Sequence, residues 1–325
     1  MKSVTIVLPT YNNESTLNEC LKSIANQDYP KKLFQVIIAD GGSTDSTIKI
    51  IKKYPQFKLI KNPGRIEEKA KPLAITKYAK GEIIGFIDAD NFLPSDKGWL
   101  KKMVTPFNDK KISFSDTLYF EVRKGDDIIT RYNALIGGDD PIASYLGAND
   151  RMCYFNGKIV GNKKSIADKG DYYEVVYKKG FVPAGGSNGF FFRKELFYKV
   201  KNNPLNHTVF LRDLVNLGYD HIAKVKQGIV HKQDGSLKTF FRKKLRRVKR
   251  RSNMEIGRYS TYGVSKSKML LLGLYIITII LPIKDSTAGF FRKPDLAWIL
   301  HPFISLALLF VYGFYFLRGI ELESE

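Results

Sequence analysis

Asp88 and Asp90 stand one residue apart, directly after the apolar run Ile83-Ile84-Gly85-Phe86-Ile87. Two carboxylates at that spacing offer hard oxygen donors. Mg²⁺ or Mn²⁺ is commonly shared between such carboxylates and the phosphates of a substrate. Asp-x-Asp also occurs in ordinary turns, because Asp and Asn are common turn residues, so its chemistry depends on its surroundings. Three other places hold reactive side chains: Asp40 in Asp40-Gly41-Gly42-Ser43-Thr44-Asp45, the pair His207 and Asp213, and His231 in Ile229-Val230-His231-Lys232. The two cysteines, Cys20 and Cys153, form neither a disulfide framework nor a metal-ligand spacing.

These residues need elements to position them. The run before Asp88 reads as a strand buried on both faces, as in a parallel sheet. Ligands of open α/β sheets gather at the carboxyl ends of such strands. Val4 to Leu8, stopped by Pro9, reads as a first strand, with Thr10-Tyr11-Asn12-Asn13 as the loop at its end. Leu17, Leu21 and Ile24 recur at helical spacing across Glu14 to Asn26. Phe34 to Ala39 reads as a second strand ending in Asp40, Phe57 to Lys61 as a third, and Glu67 to Ala79 as a helix ended by Gly81. Alternating strands and helices predict an α/β domain with a largely parallel sheet. Three strand ends, at Pro9-Thr10-Tyr11, Asp40 and Asp88/Asp90, then converge on one edge.

With these motifs in order, the chain resembles the GT-A-fold glycosyltransferases of family 2, inverting and membrane-anchored in form. The resemblance rests on Ile6-Val7-Leu8-Pro9-Thr10-Tyr11-Asn12, Gln27-Asp28-Tyr29-Pro30, Val36 to Thr47, and Lys80-Gly81-Glu82-Ile83-Ile84 through Asp88-Ala89-Asp90. It implies a Rossmann-like catalytic domain and a nucleotide sugar, UDP- favoured and GDP- open. Pro9, Thr10, Tyr11 and Asn12 would line the nucleotide pocket. Asp40 would accept a base N–H, which suits an acceptor-only carboxylate; the alternative for Asp40 is a turn that caps the next helix. Asp88 and Ala89 would lie against the donor, Asp88 on ribose or the metal shell, and Asp90 would hold the Mn²⁺ or Mg²⁺. In the loop from Asn62 to Pro72, Arg65 and Lys69 or Lys71 would reach phosphate, the alternative being a solvated loop.

The segment Phe181 to Lys194 resembles the part of the family that closes the sugar pocket, with Gly186 allowing close approach to the donor. The family places a Glu-Asp pair shortly before a helix ending in Leu-Gly-Tyr. Here Leu217-Gly218-Tyr219 is present, but the expected carboxylates are replaced by Asn206-His207. Asp213, the nearest carboxylate, and His207 are the two candidates for the base. Asp213 is put first because the family's base is a carboxylate. A phosphate acceptor would need no strong base. The resemblance also implies that His231 completes the metal or diphosphate site. Asp139-Asp140-Pro141 reads as a turn rather than an acceptor contact.

The carboxy-terminal third changes character. Net charge is +21, from 53 Lys and Arg against 32 Asp and Glu, which points to an anionic partner. Ser236 to Arg251 carries Lys238, Arg242, Lys243, Lys244, Arg246, Arg247, Lys249, Arg250 and Arg251, with Leu237, Phe240, Phe241, Leu245 and Val248 at helical spacing. That is a basic amphipathic helix suited to an anionic membrane. Nucleic acid is the rival partner, set aside because apolar runs follow at 269–283 and 296–317. The second run reaches the roughly 20 residues that span a bilayer, while the first is short of it and reads as a tilted span, a re-entrant segment or a buried helix. The expected layout is a GT-A domain at 1–235 (halves 1–111 and 112–235), an interfacial segment at 236–268, membrane segments at 269–283 and 296–317, and an acidic tail at 318–325. No secretory signal is legible before Pro9, so the catalytic domain is expected on the cytoplasmic side of the cell membrane. The expected acceptor is a lipid-linked glycan or a surface polysaccharide. A polyprenyl-phosphate glycosyl synthase is the alternative, and a non-catalytic scaffold on the same fold a third reading.

Overall fold

The computed structural model describes the chain apart from residues 150, 160–162, 181, 184, 202–203, 234, 253–265 and 318–325, together with the side chains of 247–252, 266, 268–269 and 315–317. Most of the interfacial segment after Ser252 and the whole acidic tail, both expected from the sequence, lie outside the described residues. The chain forms two compact units: 1–121 with 162–232, and 122–161 with 233–325. This divides the chain differently from the sequence layout, because 122–161 packs with the carboxy-terminal segment rather than with the rest of 1–235.

In the first unit, β1 (Val4–Thr10) has Val4, Ile6, Val7 and Leu8 buried, so both of its faces are covered. It pairs in parallel with β2 (Phe34–Asp40) on one side and β4 (Ile83–Phe86) on the other. β3 (Lys58–Lys61) lies beyond β2. The connecting helices are α1 (Leu17–Ala25), α2 (Thr47–Ile51) and α3 (Glu67–Lys77), and α4 (Trp99–Val104) follows them. Register places Thr10 opposite Asp40 and Asp40 opposite Lys61, so the four parallel strands end at one edge.

The sheet is not mostly parallel. Its order is β3-β2-β1-β4-β9-β6-β10-β8-β7, and β9 (Phe190–Arg193) runs antiparallel to both β4 and β6 (Phe114–Phe120). Three fully buried phenylalanines, Phe190 to Phe192, make β9 a central strand. The ring of Phe191 lies where a Cβ on Gly85 would stand, so β4 needs glycine there for the two strands to meet. β10 (His221–His231) pairs in parallel with β6. The hairpin of β7 (Lys163–Asp168) and β8 (Tyr172–Tyr177) continues the sheet antiparallel to β10. The sheet is therefore mixed, a family of parallel strands extended by antiparallel ones.

In the second unit, α5 (Ile128–Ile136) and α6 (Pro141–Leu146) are capped by Asp127 and Asp140, and each ends on a left-handed glycine, Gly137 and Gly147. Asp140 is thus a helix cap, as its place before Pro141 suggests. α8 (Leu237–Ser252) is the basic helix, held by Lys244, whose Nζ reaches Asp139 at 3.0 Å and Asp140 at 3.3 Å. The first apolar run is not one helix. α9 (Lys266–Ile277) and α10 (Ile280–Arg292) meet at a 78° bend. A 3₁₀ turn at Leu296–Ile299 leads into α11 (Leu300–Leu317). Leu296–Phe314 is, among the described residues, one helix long and apolar enough to cross a membrane.

Candidate functional site

A cleft opens at the carboxyl edge of the parallel strands. It is lined by Pro9, Thr10, Tyr11 and Asn13 after β1, by Asn62, Arg65, Ile66 and Glu67 after β3, and by Asp88, Ala89 and Asp90 after β4. Local hydrogen bonds fix each wall. The Asn13 side chain accepts from Thr10 Oγ1 and from Tyr11 N, both at 3.0 Å. Asn62 closes its turn by donating to Ile66 O and accepting from Gly64 N. Arg65 holds a left-handed backbone, φ 60°; an arginine in that region signals a site that constrains it.

Asn91 builds the Asp88–Asp90 turn. It is fully buried; its Oδ1 accepts from Asp88 N at 3.1 Å, and its Nδ2 donates to Asp90 Oδ1 at 3.2 Å. The strand pairing that places His231 opposite Asn91 in β5 (Asn91–Phe92) carries the imidazole to the same point. Lys232 N donates to Asp90 O at 2.9 Å, and His231 Nε2 lies 3.6 Å from Asp90 Oδ2. Residues far apart in sequence are joined here by a two-residue strand.

Asp88 is the electrostatic focus. Its side chain keeps 24% exposure at the cleft mouth, yet Oδ1 is enclosed and has no hydrogen-bond partner. Burial raises its pKa to about 6, against the pull of Lys71 and with Glu67 and Asp90 adding like charge. Lys71 is fully buried, with Nζ 3.2 Å from Glu67 Oε2, 3.8 Å from Asp88 Oδ1 and over the ring of Phe86. Desolvation works against its charge, but Asp88 and Glu67 together raise its pKa.

The structure separates the two candidates for the base. Leu205 N donates to Glu68 O at 2.8 Å, which ties the start of α7 (His207–Asn216) to α3. His207 is the first residue of α7. Burial, and then the Lys71 charge, lower its pKa to about 4, so it is a neutral acceptor at pH 7. Gly186, at φ +99°, lies against its backbone, and a Cβ there would come within 2.7 Å of His207 O. Asp213 is six residues further along the helix, about 240° around it, where it pairs with Arg212 at 3.2 Å. Sequence reasoning put Asp213 first; the geometry gives His207 the neighbours, Lys71 and Glu67, that adjoin Asp88.

Two expected contacts are used differently. The Asp40 carboxylate accepts from Gly42 N at 2.8 Å, Ser43 N at 3.1 Å and Ser43 Oγ at 2.5 Å. It holds its own turn and keeps about one of roughly four acceptor positions free for a base. Asn12, at φ 52°, turns its Oδ1 to Thr44 N at 2.8 Å and so links the first two loops instead of lining the cleft. Sequence reasoning missed Glu67, Asn13 and Asn91. Asn91 had the clearest signal, since it directly follows Asp90.

Among the described residues no three His, Cys, Asp or Glu side chains form a ready metal cluster. The donors still fit a cation that keeps several water or substrate ligands: two carboxylates, one with an enclosed unpartnered oxygen, and one imidazole.

Residues 5–165 match the family model described as glycosyl transferase family 2. Within that stretch lie the cleft and both Asp-rich turns. Over these residues the chain is similar to glycosyl transferase family 2. It is 37% identical over 98 residues to the poly(ribitol-phosphate) beta-N-acetylglucosaminyltransferase TarS of Staphylococcus aureus, covering 29% of this chain and 17% of that one. It is 37% identical over 103 residues to a poly(ribitol-phosphate) beta-glucosyltransferase of Bacillus spizizenii, covering 29% and 16%. The matched segment thus spans about a sixth of those relatives. The fold of a mannosyltransferase from Pyrobaculum calidifontis, solved with GDP-Man and Mn²⁺, overlays at a TM-score of 0.50 and 16% identity, over 98% of this chain and 84% of that one. The fold is therefore GT-A-like, with the mixed sheet described above.

Proposed function

We propose that the chain is an inverting, metal-dependent glycosyltransferase. It moves a sugar from a nucleotide sugar to a lipid-linked glycan or surface polysaccharide at the cytoplasmic face of a membrane. The observation that carries the reading is the cleft at the carboxyl edge of the parallel strands, lined by Asp88 and Asp90 inside the stretch similar to glycosyl transferase family 2, with His231 brought to 3.6 Å from Asp90. Tyr11, Thr10 and the free acceptor position of Asp40 would take the nucleoside, UDP- favoured and GDP- open. Arg65, on the cleft wall, would meet the anionic diphosphate, while the buried Lys71 would act through its ion pairs with Asp88 and Glu67. Asp90, Asp88 and His231 would hold Mn²⁺ or Mg²⁺, which stabilises the charge that builds on the departing nucleotide.

The acceptor oxygen attacks the anomeric carbon, and the bond from that carbon to the diphosphate oxygen breaks in line. The acceptor proton passes to His207 Nδ1 or Nε2, which is unprotonated at neutral pH. The relatives named as poly(ribitol-phosphate) transferases support a polymer acceptor. Incubating the detergent-solubilised full chain with Mn²⁺, labelled UDP- and GDP-sugars and native membrane lipid tests the reading. Metal-dependent label in lipid or polymer is expected, and it should vanish in Asp90→Ala. Full transfer by that variant overturns the site.

A second reading is favoured by one observation: α7 begins with Asn206 as its cap and His207 as its first residue, where a carboxylate base would stand. An acceptor that is itself a phosphate, as in a polyprenyl-phosphate glycosyl synthase, needs no proton removed.

A further inference from the structure

We infer that α9 and α10 form a re-entrant membrane element: they enter one leaflet of an anionic bilayer, turn at Ile279, and leave on the side they entered. The inference rests on the membrane reading above and specifies how the chain meets the lipid. The first observation is exposure. Leu270, Leu271, Leu274, Ile277, Ile280 and Ile283 are all open to solvent, Ile280 at 73%. A soluble monomer rarely keeps so continuous an apolar surface, and a patch of this kind marks a membrane or protein interface.

The second observation is the bend. α9 and α10 have 12 and 13 residues, about 18 and 20 Å at 1.5 Å per residue. Neither reaches the roughly 30 Å of a hydrocarbon core, and their 78° bend prevents a joint straight span. Legs inclined equally to the membrane plane would each tilt about 39°, placing the apex about 11 Å deep, within one leaflet. Ile279 makes the turn with φ 59°, a costly conformation for a β-branched residue. A break in lipid must satisfy its own backbone, and two amides at this one are paired locally. Ile279 N donates to Ile276 O at 3.0 Å and Ile280 N to Thr278 O at 2.6 Å. Across the bend Tyr275 OH donates to Asp285 at 2.5 Å, so the carboxylate nearest the apex is satisfied within the protein.

The third observation selects lipid over a second protein. Basic residues cluster in sequence at the outer ends, Lys266 and Lys268 at the start of α9 and Arg292 and Lys293 at the end of α10, while the apex Ile277-Thr278-Ile279-Ile280 has none; inside α10, Asp285 is held by Tyr275, and the exposed Lys284 is long enough to reach the headgroups. Cations at headgroup level and apolar residues at depth match an anionic leaflet.

The test uses the full chain carrying one of three substitutions, Ser267→Cys, Ile279→Cys or Lys293→Cys; Cys20 and Cys153 are buried and stay unlabelled in the native fold. Flotation with vesicles of phosphatidylcholine and phosphatidylglycerol, three parts to one, reports membrane binding. A membrane-impermeant maleimide applied to inside-out and right-side-out cell membranes reports sidedness. In proteoliposomes, a fluorophore on the thiol of the Ile279→Cys variant, with quenchers along the acyl chain, reports depth. Expected are flotation, labelling of positions 267 and 293 in the inside-out preparation alone, and acyl-chain quenching at position 279. Labelling of the two ends in opposite preparations would make α9–α10 a span and overturn the inference while leaving the membrane reading intact. An unquenched, water-exposed position 279 in bound protein also overturns it. Failure to float, with concentration-dependent dimers, would assign the apolar face to a second copy and overturn both. None of these outcomes reads sugar transfer, so the glycosyltransferase reading stands or falls separately.

Discussion

His207 stands at the position where the family's carboxylate base is expected, and burial, with the Lys71 charge, makes it a neutral acceptor. Removing a positioned general base costs typically 10²- to 10⁴-fold. His207→Ala should lose that range in kcat with donor KM little changed, and Asp213→Ala should stay within about threefold, measured as initial rates. Loss in Asp213→Ala with His207→Ala spared would return the base to Asp213; no loss in either would favour a phosphate acceptor. Asp88 carries the opposite kind of signal. Its pKa in the fold, about 6, lies above the ordinary 3.8, so the ionised form is penalised by folding. The stability it contributes is full below 3.8 and lost as pH rises through 6. Asp88→Asn should therefore melt higher than wild type at pH 7, and that gap should close as pH falls from 7 through 6, while transfer is lost. A variant less stable than wild type at pH 7 would mean that the Lys71 attraction outweighs burial. The Asp-x-Asp turn and Asp40 were legible from residue type and place after apolar runs. The nearness of His207 to Lys71 was not, because no periodicity links positions more than a hundred residues apart.

At the scale of elements, β1 to β4 were readable because each is a short apolar run punctuated by Pro, Gly or Asp. β9 follows a glycine-rich stretch that masks it; only its pairing with β4 and β6 shows Phe190 to Phe192 as a central strand. β7 is almost wholly exposed, and β8 is half-buried apart from Val175 and Tyr177, so their hairpin left little trace in the sequence. β6 and β10 carry a feature invisible before pairing. Lys224 stands in register with Asp116, Nζ to Oδ2 at 2.8 Å, both side chains at most 4% exposed. Breaking such a pair from one side costs about 3–5 kcal/mol, whereas replacing both partners with apolar residues is often neutral. Lys224→Met should lower the denaturant midpoint sharply, and adding Asp116→Leu should restore most of it. A double variant as unstable as the single would show that the lost packing, not the uncompensated carboxylate, sets the cost.

At the scale of the whole molecule, the sequence divided the chain at residue 235, while the structure returns 122–161 to the carboxy-terminal unit. Linear composition cannot register a discontinuous unit: 122–161 is mixed in character and gains its partners only through tertiary packing. The charge of +21 was legible, and the structure shows where part of it is free to act. On α8, Lys244 is consumed by Asp139 and Asp140, while Lys238, Arg242 and Arg246 are exposed. Each basic residue near an anionic surface is worth about 1 kcal/mol, and the attraction fades within a Debye length of about 10 Å at 0.1 M salt. Apolar insertion by the 270–314 region does not share that dependence. Binding to phosphatidylglycerol-containing vesicles should thus have two parts. Replacing Lys238, Arg242 and Arg246 with Gln should weaken binding about 100-fold at low salt, from about 3 kcal/mol at 1.4 kcal/mol per decade. At molar salt the variant and the wild type should bind alike through the apolar surface, as read by sedimentation with sucrose-loaded vesicles. Unchanged binding at low salt would remove α8 from the membrane contact and leave the apolar surface as the sole anchor.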